Sequence, residues 1–268
     1  MLHNIRNFLI DIYDKRKLIV TLALNDFKKR YSSSYLGLFW SFVQPLINIG
    51  VFWFVFSVGF KAADIDKGVP FILWLICGLI PWYYFAETLS TGSNILYEYS
   101  YMLKQMVFRP SILPFIKIIS NFITHVFFVI IIFIIAFIYG KGFDLYYLQL
   151  LYYIPCMVYL LIGLIWIFSS LKVFLPDIGE IITVILQLGM WITPIMWNIK
   201  IIPIKYMIFL KLNPMFYIVD GFRDTFINKI WFWEKIIWTP CYLLLTTCLF
   251  FSGIVIFKKL KPHFNDVL

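Results

Sequence analysis

The chain has 268 residues, of which 62% are hydrophobic and 14% charged, and its formal net charge is +9. A soluble domain carries about a quarter charged residues, so this composition excludes a soluble globular protein and points to one helical membrane bundle. The positive charge does not indicate nucleic acid, because the basic residues sit at the ends of apolar runs and form no patch.

Inside lipid every backbone polar group needs a partner within the protein, and the apolar runs are continuous rather than alternating. The spans are therefore expected to be helices, not barrel strands. No signal peptide is expected, since no small-residue cleavage site occurs and the first apolar run is too long and too late. Ahead of that run, "KRKLIVTLALNDFKKRY" (Lys15–Tyr31) reads as a helix lying in the membrane surface. Leu18, Leu22 and Phe27 are expected on one side of it, and Asp26, Lys29 and Arg30 on another.

Six spans follow: Leu36–Phe60, Val69–Thr91, Ile112–Tyr139, Leu148–Leu171, Ile178–Trp197 and Trp238–Phe257. Each has about 20 to 28 residues, enough to cross ~30 Å of hydrocarbon. The fourth is expected to bend or break near Pro155, and the fifth carries Pro194 near its end. The loop from Ile199 to Lys235 is apolar and aromatic but interrupted by Pro203, Pro214 and Gly221, so it reads as interfacial or re-entrant. Lys and Arg crowd residues 1–35 and the tail (Lys258, Lys259, Lys261), which favours cytoplasmic termini. The Lys and Arg residues of the long fifth loop narrow that margin.

Polar residues recur inside the spans at helical spacing, each set on one helix face. The first span has Gly37, Ser41, Gln44 and Asn48, and the fifth has Glu180, Thr183, Gln187, Trp191 and Pro194. Glu87, Thr91, Asn94 and Glu98 end the second, while Lys117, Asn121 and Thr124 begin the third. Such stripes either glue helices together or border water, and four of them in one small protein favour a hydrated path. Glu87, Lys117 and Glu180 are expected near cytoplasmic helix ends, where snorkelling is cheap. Some aromatic residues form interfacial belts, whereas Trp40, Trp53, Trp74 and Trp191 lie deeper. A path lined with aromatic faces suits a repeating glycan.

The four cysteines fall in apolar segments without CxxC pairing, and the three histidines (His3, His125, His263) are scattered. Neither metal chemistry, redox chemistry nor a nucleophile–base pair is indicated. No GxxxxGK[ST] loop occurs, so any driving energy comes from a partner or an ion gradient.

Five stretches, in order and over nearly the whole chain, resemble the membrane subunits of ABC-2 type polysaccharide exporters. They are "KKRYSSSYLGLFWSFVQPL" (Lys28–Leu46), "GLIPWYYFAETLSTGSNIL" (Gly78–Leu96), "FRPSILPFIKIIS" (Phe108–Ser120), "PDIGEIITVILQLGMWITPIMW" (Pro176–Trp197) and "NPMFYIVDGFRD" (Asn213–Asp224). The resemblance implies an all-α membrane protein organised as a single domain over residues 1–268. Residues 1–35 would be a cytoplasmic region with an amphipathic interface helix, 36–257 a six-helix bundle with a re-entrant segment between helices five and six, and 258–268 a cytoplasmic tail. It implies a dimer with two ATPase subunits, which carry the ATP and Mg; this chain itself binds no cofactor or metal and performs no catalysis.

The implied substrate is a glycan on undecaprenyl diphosphate, of O-antigen or teichoic acid type, in a bacterial inner or plasma membrane. The resemblance assigns the pathway lining to spans one and five, hence to Trp40, Ser41, Gln44, Asn48, Thr183, Gln187 and Trp191. It places ATPase coupling in Tyr97–Pro110, with Tyr99, Met102, Leu103, Lys104, Met106, Phe108 and Arg109. Asp26, Lys29, Arg30, Tyr31 and Lys172 belong to the interface helix and substrate entrance. The chain departs from the family at Pro176, where an Arg usually precedes the Asp-Ile pair; Lys172 stands in for it or the role is lost. Efflux of a small drug or lipid, and a non-transporting scaffold for glycan synthesis, are the competing readings. An ion-coupled transporter would want a carboxylate near mid-membrane, and the acidic residues lie near span ends.

Overall fold

The structure is a computed structural model that describes residues 10, 13–30, 37–60, 69–104 and 110–268. Its described residues are helical, without strands. In chain order the helices are α1 (Arg16–Lys29), α2 (Gly37–Gly59), α3 (Phe71–Ser93), α4 (Pro110–Ile138), α5 (Leu145–Phe174), α6 (Ile178–Ile192), α7 (Ile204–Lys211), α8 (Pro214–Arg223) and α9 (Trp238–Leu260). Of these, α2, α3, α4, α5 and the α9 segment are long and apolar enough to cross a membrane.

The bundle is built around α3. Its most apolar stretch is 78% buried within the chain, against 6% for α2. The difference lies in what surrounds each helix: α3 packs against α4, α5, α6 and α8, while α2 leans on one side only. The closest helix pair is α5 with α9, and small residues make it possible. A Cβ on Gly163 would sit 2.9 Å from Phe250 Cα, and one on Gly253 would sit 2.6 Å from the Gly163 carbonyl oxygen. The end of α4 is closed by Gly140 at φ 72°, where the Lys141 amide bonds back to the Ala136 carbonyl at 3.0 Å.

Three expectations are corrected. First, the fourth span is not broken: α5 runs through Pro155, which lies within the first two turns of its regular α-helical part, Leu150–Phe174. Second, the fifth span is shorter than Ile178–Trp197. α6 stops at Ile192, and Thr193 turns to extended backbone, as a residue ahead of proline prefers. At 1.5 Å per residue its 15 residues reach about 22 Å, short of a ~30 Å core. Third, the surface helix is turned relative to expectation. Ile19, Ala23 and Phe27 form its buried face, while Leu18 is 39% exposed. Asp26 faces the same buried side, drawn there by a cation on α4.

The broken fifth loop is two short helices. Pro203 and Asn213–Pro214 start them, as proline at a first helical turn does. Gly221 is no breaker; it lies inside α8 under the Tyr153 ring, where any side chain would collide.

Candidate functional site: a polar cleft between α2, α3 and α4

The cytoplasm-expected end of the bundle is held by a knot of charges. Lys117 is 4% exposed, and its ammonium lies 2.6 Å from both Asp26 of α1 and Glu98 of the turn after α3. It therefore does not snorkel: a buried ammonium needs opposite charge within reach, and two chain segments supply it. Arg30 adds a second tie, 3.2 Å from Glu87 and 3.7 Å from Asp26. Higher up, the Asn121 amide donates to Thr91 Oγ1 at 3.1 Å. The stripes of the second and third spans thus face each other and pair.

The stripe of the first span has a different surrounding. Between α2, α3 and α4 lies a cavity of about 350 Å³, bordered by Ser41, Gln44 and Asn48 on α2. Tyr83, Tyr84, Glu87 and Ser90 face it from α3, and Asn121, Thr124 and His125 from α4. Ser41 is sunk into it, while Gln44 and Asn48 stand exposed at its rim. Pro45 contributes by omission: its missing amide leaves the Ser41 carbonyl without the usual i+4 helical donor. The His125 ring stacks on Tyr84 with centroids 4.6 Å apart, and Tyr84 donates to the Ile118 carbonyl at 3.2 Å.

α6 reaches this cleft only through Leu186. Its own polar stripe, Glu180, Thr183, Gln187 and Trp191, lies on a face exposed in the single chain. Trp40 and Trp191 are likewise exposed, at 38% and 55%. Lys172 lies along the start of α6, its ammonium filling the space over Gly179.

The coupling segment is described as two helical turns, Ile95–Glu98 and Ser100–Lys104. Leu103 is turned into the core at 5% exposure, whereas Tyr101, not singled out in the sequence, projects outward at 72%. Tyr99 and Met102 are half-buried and Lys104 is exposed. Tyr31, Met106, Phe108 and Arg109 lie outside the described residues.

A second polar centre closes the other end. Arg223 of α8 is buried, with its guanidinium 3.6 Å from the Trp74 ring centre. It donates to the carbonyls of Pro194 at 2.7 Å and Ile195 at 2.9 Å, the groups left open where α6 ends. Asn213 adds a bond to Thr193 Oγ1 at 2.8 Å. Beside them Lys235 pairs with Asp220 at 2.6 Å and with Asp224. Burial, reinforced by the charge of Asp220 and opposed by Lys235, raises the Asp224 carboxyl to about 6.

His125 and Arg223 are the residues that spacing did not bring forward. The signal for His125 was present: it continues the Lys117–Asn121–Thr124 face by one residue, but a lone histidine in an apolar run reads equally as core.

Residues 17–227 match the family model of the ABC-2 type transporter. The O-antigen export system permease protein RfbA of Klebsiella pneumoniae is 28% identical over 266 residues, covering 94% of this chain and 95% of that protein. RfbA of Myxococcus xanthus is 22% identical over 219 residues, covering 81% and 82%. The polysialic acid transport protein KpsM of Escherichia coli is 22% identical over 218 residues, covering 79% and 82%. With its apolar helices and a family match over most of its length, this chain is a multi-pass transporter membrane subunit that works with an ABC ATPase, and it belongs to the ABC-2 type transporter family.

Proposed function

We propose that this chain is the membrane subunit of an ATP-driven exporter that moves a lipid-linked polysaccharide out of the cytoplasm. The observation that carries the reading is end-to-end similarity to an O-antigen export permease in a chain with a hydroxyl- and amide-bearing cleft along its first span, whose one cation and one carboxylate, Arg30 and Glu87, pair with each other. Hydrophilic lining without net fixed charge suits a neutral, repeating sugar chain better than an ion or a greasy drug.

In this reading two copies associate through α2 and α6, the helices least covered within one chain, and two ATPase subunits supply ATP and Mg. Both termini are cytoplasmic, in a bacterial inner or plasma membrane. α6 is the sixth spanning element, shortened on its outer side, where α7 and α8 dip back as a re-entrant pair. Gln44, Asn48, Thr183 and Gln187 then border the passage, with Trp40 and Trp191 as stacking faces. α1 is the interface helix, and the turns from Ile95 to Lys104 dock on the ATPase. The glycan's diphosphate anchor needs cations at the entrance. Lys29, Arg30, Lys104, Arg109 and Lys172 are the candidates, Arg30 also holding Glu87 and Asp26.

The test is to co-purify the chain with the ATPase encoded beside it and reconstitute the complex in liposomes. Addition of the cell's own lipid-linked glycan stimulates ATP hydrolysis and moves glycan into the lumen. A stable complex whose hydrolysis ignores lipid-linked glycans, yet responds to a drug or free lipid, overturns the reading.

A further inference from the structure

The cleft beneath α2 has an inner wall that passage alone does not call for. That wall is formed by α3 and α4 with the buried Ser41 of α2, away from the exposed faces of α2 and α6, and it carries polar atoms without a hydrogen-bond partner among the described residues. Ser41 Oγ, Tyr83 OH, Asn121 Oδ1 and both ring nitrogens of His125 lack a hydrogen-bond partner among the described residues. The residues themselves are deep: Ser41 is 6%, Asn121 3% and His125 2% exposed. The Ile80 backbone lies beside the His125 ring without reaching hydrogen-bond geometry. Buried polar groups are nearly always paired, so a cluster of unpaired ones around one cavity marks a place where something else supplies the partners.

The chemistry of that partner is restricted. A phosphate or carboxylate would need surplus cationic charge; Arg30 is the cation on this lining, and although its Nη2 makes no hydrogen bond, its charge is balanced by Glu87 at 3.2 Å and Asp26 at 3.7 Å. A metal ion would need several ligating side chains together, but His125 and the Arg30-paired Glu87 are the His and acidic residues on this lining, and no group of three or more such ligands occurs among the described residues. Hydrocarbon would leave every orphan atom unsatisfied. What remains is a neutral molecule that both donates and accepts in several directions around a compact frame. The volume of about 350 Å³ is near the lower end for small-ligand pockets, which run from about 300 Å³. It accommodates one ring with some ordered water rather than a folded oligomer.

We propose that the cavity between α2, α3 and α4 is a recognition pocket for a single uncharged sugar ring, set beside the line of passage. Ser41, Asn121 and His125 read the ring's hydroxyls from the deep side, while Gln44 and Asn48 at the rim hand the chain to and from the passage. When the ring leaves, water takes its bonds, so binding is reversible and weak enough for transport. This assignment rests on the export reading, and the experiment keeps the two apart.

In the purified complex with the ATPase, the native cysteines are replaced and Ser41→Cys is introduced. Its reaction with a small water-soluble methanethiosulfonate is timed with and without methyl glycosides of glucose, galactose, mannose, rhamnose and N-acetylglucosamine at about 10 mM. At least one glycoside slows the reaction about threefold, the effect of a ligand at twice its Kd. Glycerol does not slow it, and a cysteine placed at Val267 in the carboxy-terminal tail, 50% exposed, is unaffected. No protection by any glycoside, or equal protection by glycerol, means a water-filled cavity only and overturns the proposal; so does a cysteine at 41 that never reacts.

The second arm uses Asn121→Ala and His125→Phe, the latter keeping ring shape while removing both nitrogens. Each raises the KM for glycan-stimulated ATP hydrolysis about fivefold, as loss of one neutral hydrogen bond does, with a smaller change in kcat. If the wild type exports glycan and both variants keep its KM, the pocket is wrong and the export reading stands. If the wild type ignores lipid-linked glycan, the export reading fails and glycoside protection at residue 41 decides the pocket by itself.

Discussion

Four polar stripes have the same three-and-four spacing, but they have two different fates. Those on α3 and α4 close on each other through Lys117–Glu98, Asn121–Thr91 and, with α1, Lys117–Asp26. Those on α2 and α6 find no such mate among the described residues: one opens on a cavity, the other on the outside. Spacing reveals that a helix has a polar face and is silent on what that face meets. The deciding variable is the helix's neighbours: where α3 and α4 face each other, Glu98 pairs with Lys117 and Thr91 with Asn121.

The comparison breaks most decisively at Lys117. Lys117→Met leaves Asp26 buried without its partner and costs about 3–5 kcal/mol, seen as a large fall in Tm of the detergent-solubilised complex. Adding Asp26→Asn recovers part of the loss. A single variant as stable as wild type would show that the knot contributes nothing.

A contrast in water access comes next. Cysteines at Gln44 and Gln187 react with a charged thiol reagent in membranes at least tenfold faster than one at Ile130, an outward apolar position 51% exposed on α4. That ratio corresponds to about 1.4 kcal/mol in favour of the wet sites. Equal rates at all three would make the α2 and α6 stripes ordinary helix glue.

Smaller again is the effect on transport. Gln44→Ala lowers the export rate about fivefold, the loss of one neutral hydrogen bond, while leaving assembly with the ATPase intact. Normal surface display of glycan in that variant argues against a pathway role for the α2 face. The smallest effect is at Thr91→Val, which removes the bond from Asn121 and costs ~0.6 kcal/mol of stability. Export stays within about twofold of the wild-type rate, because Asn121, which borders the cavity, keeps its own side chain.

Much of the architecture was legible because long apolar runs leave few alternatives. α2, α3, α4, α5 and α9 all fall within a few residues of their expected bounds. The misreadings share one cause: local pattern was asked to report a tertiary contact. Leu18 and Ile19 fit an amphipathic face equally well, and the Asp26–Lys117 pair, 91 positions apart, decided which turned inward. Pro155 lies early enough in α5 to be tolerated, whereas α6 stops ahead of Pro194, where Arg223 donates to the carbonyls of Pro194 and Ile195 in the turn that follows. In the cleft, Ser41, Gln44 and Asn48 were legible from spacing. His125 and Tyr83 were not, since His125, although on the Lys117–Asn121 face, reads equally as core, and Tyr83 sits in an aromatic run with Trp82, Tyr84 and Phe85.

The Lys117 knot also constrains how such proteins can be recombined. Asp26, Glu98 and Lys117 sit in three separate stretches of the gene but form a single electrostatic unit. A chimera that grafts another permease's amino-terminal helix onto this bundle must import a matching acid at position 26, or carry the graft past residue 117. Splice points between those positions cut through an ionic bond before they cut through anything the alignment would flag.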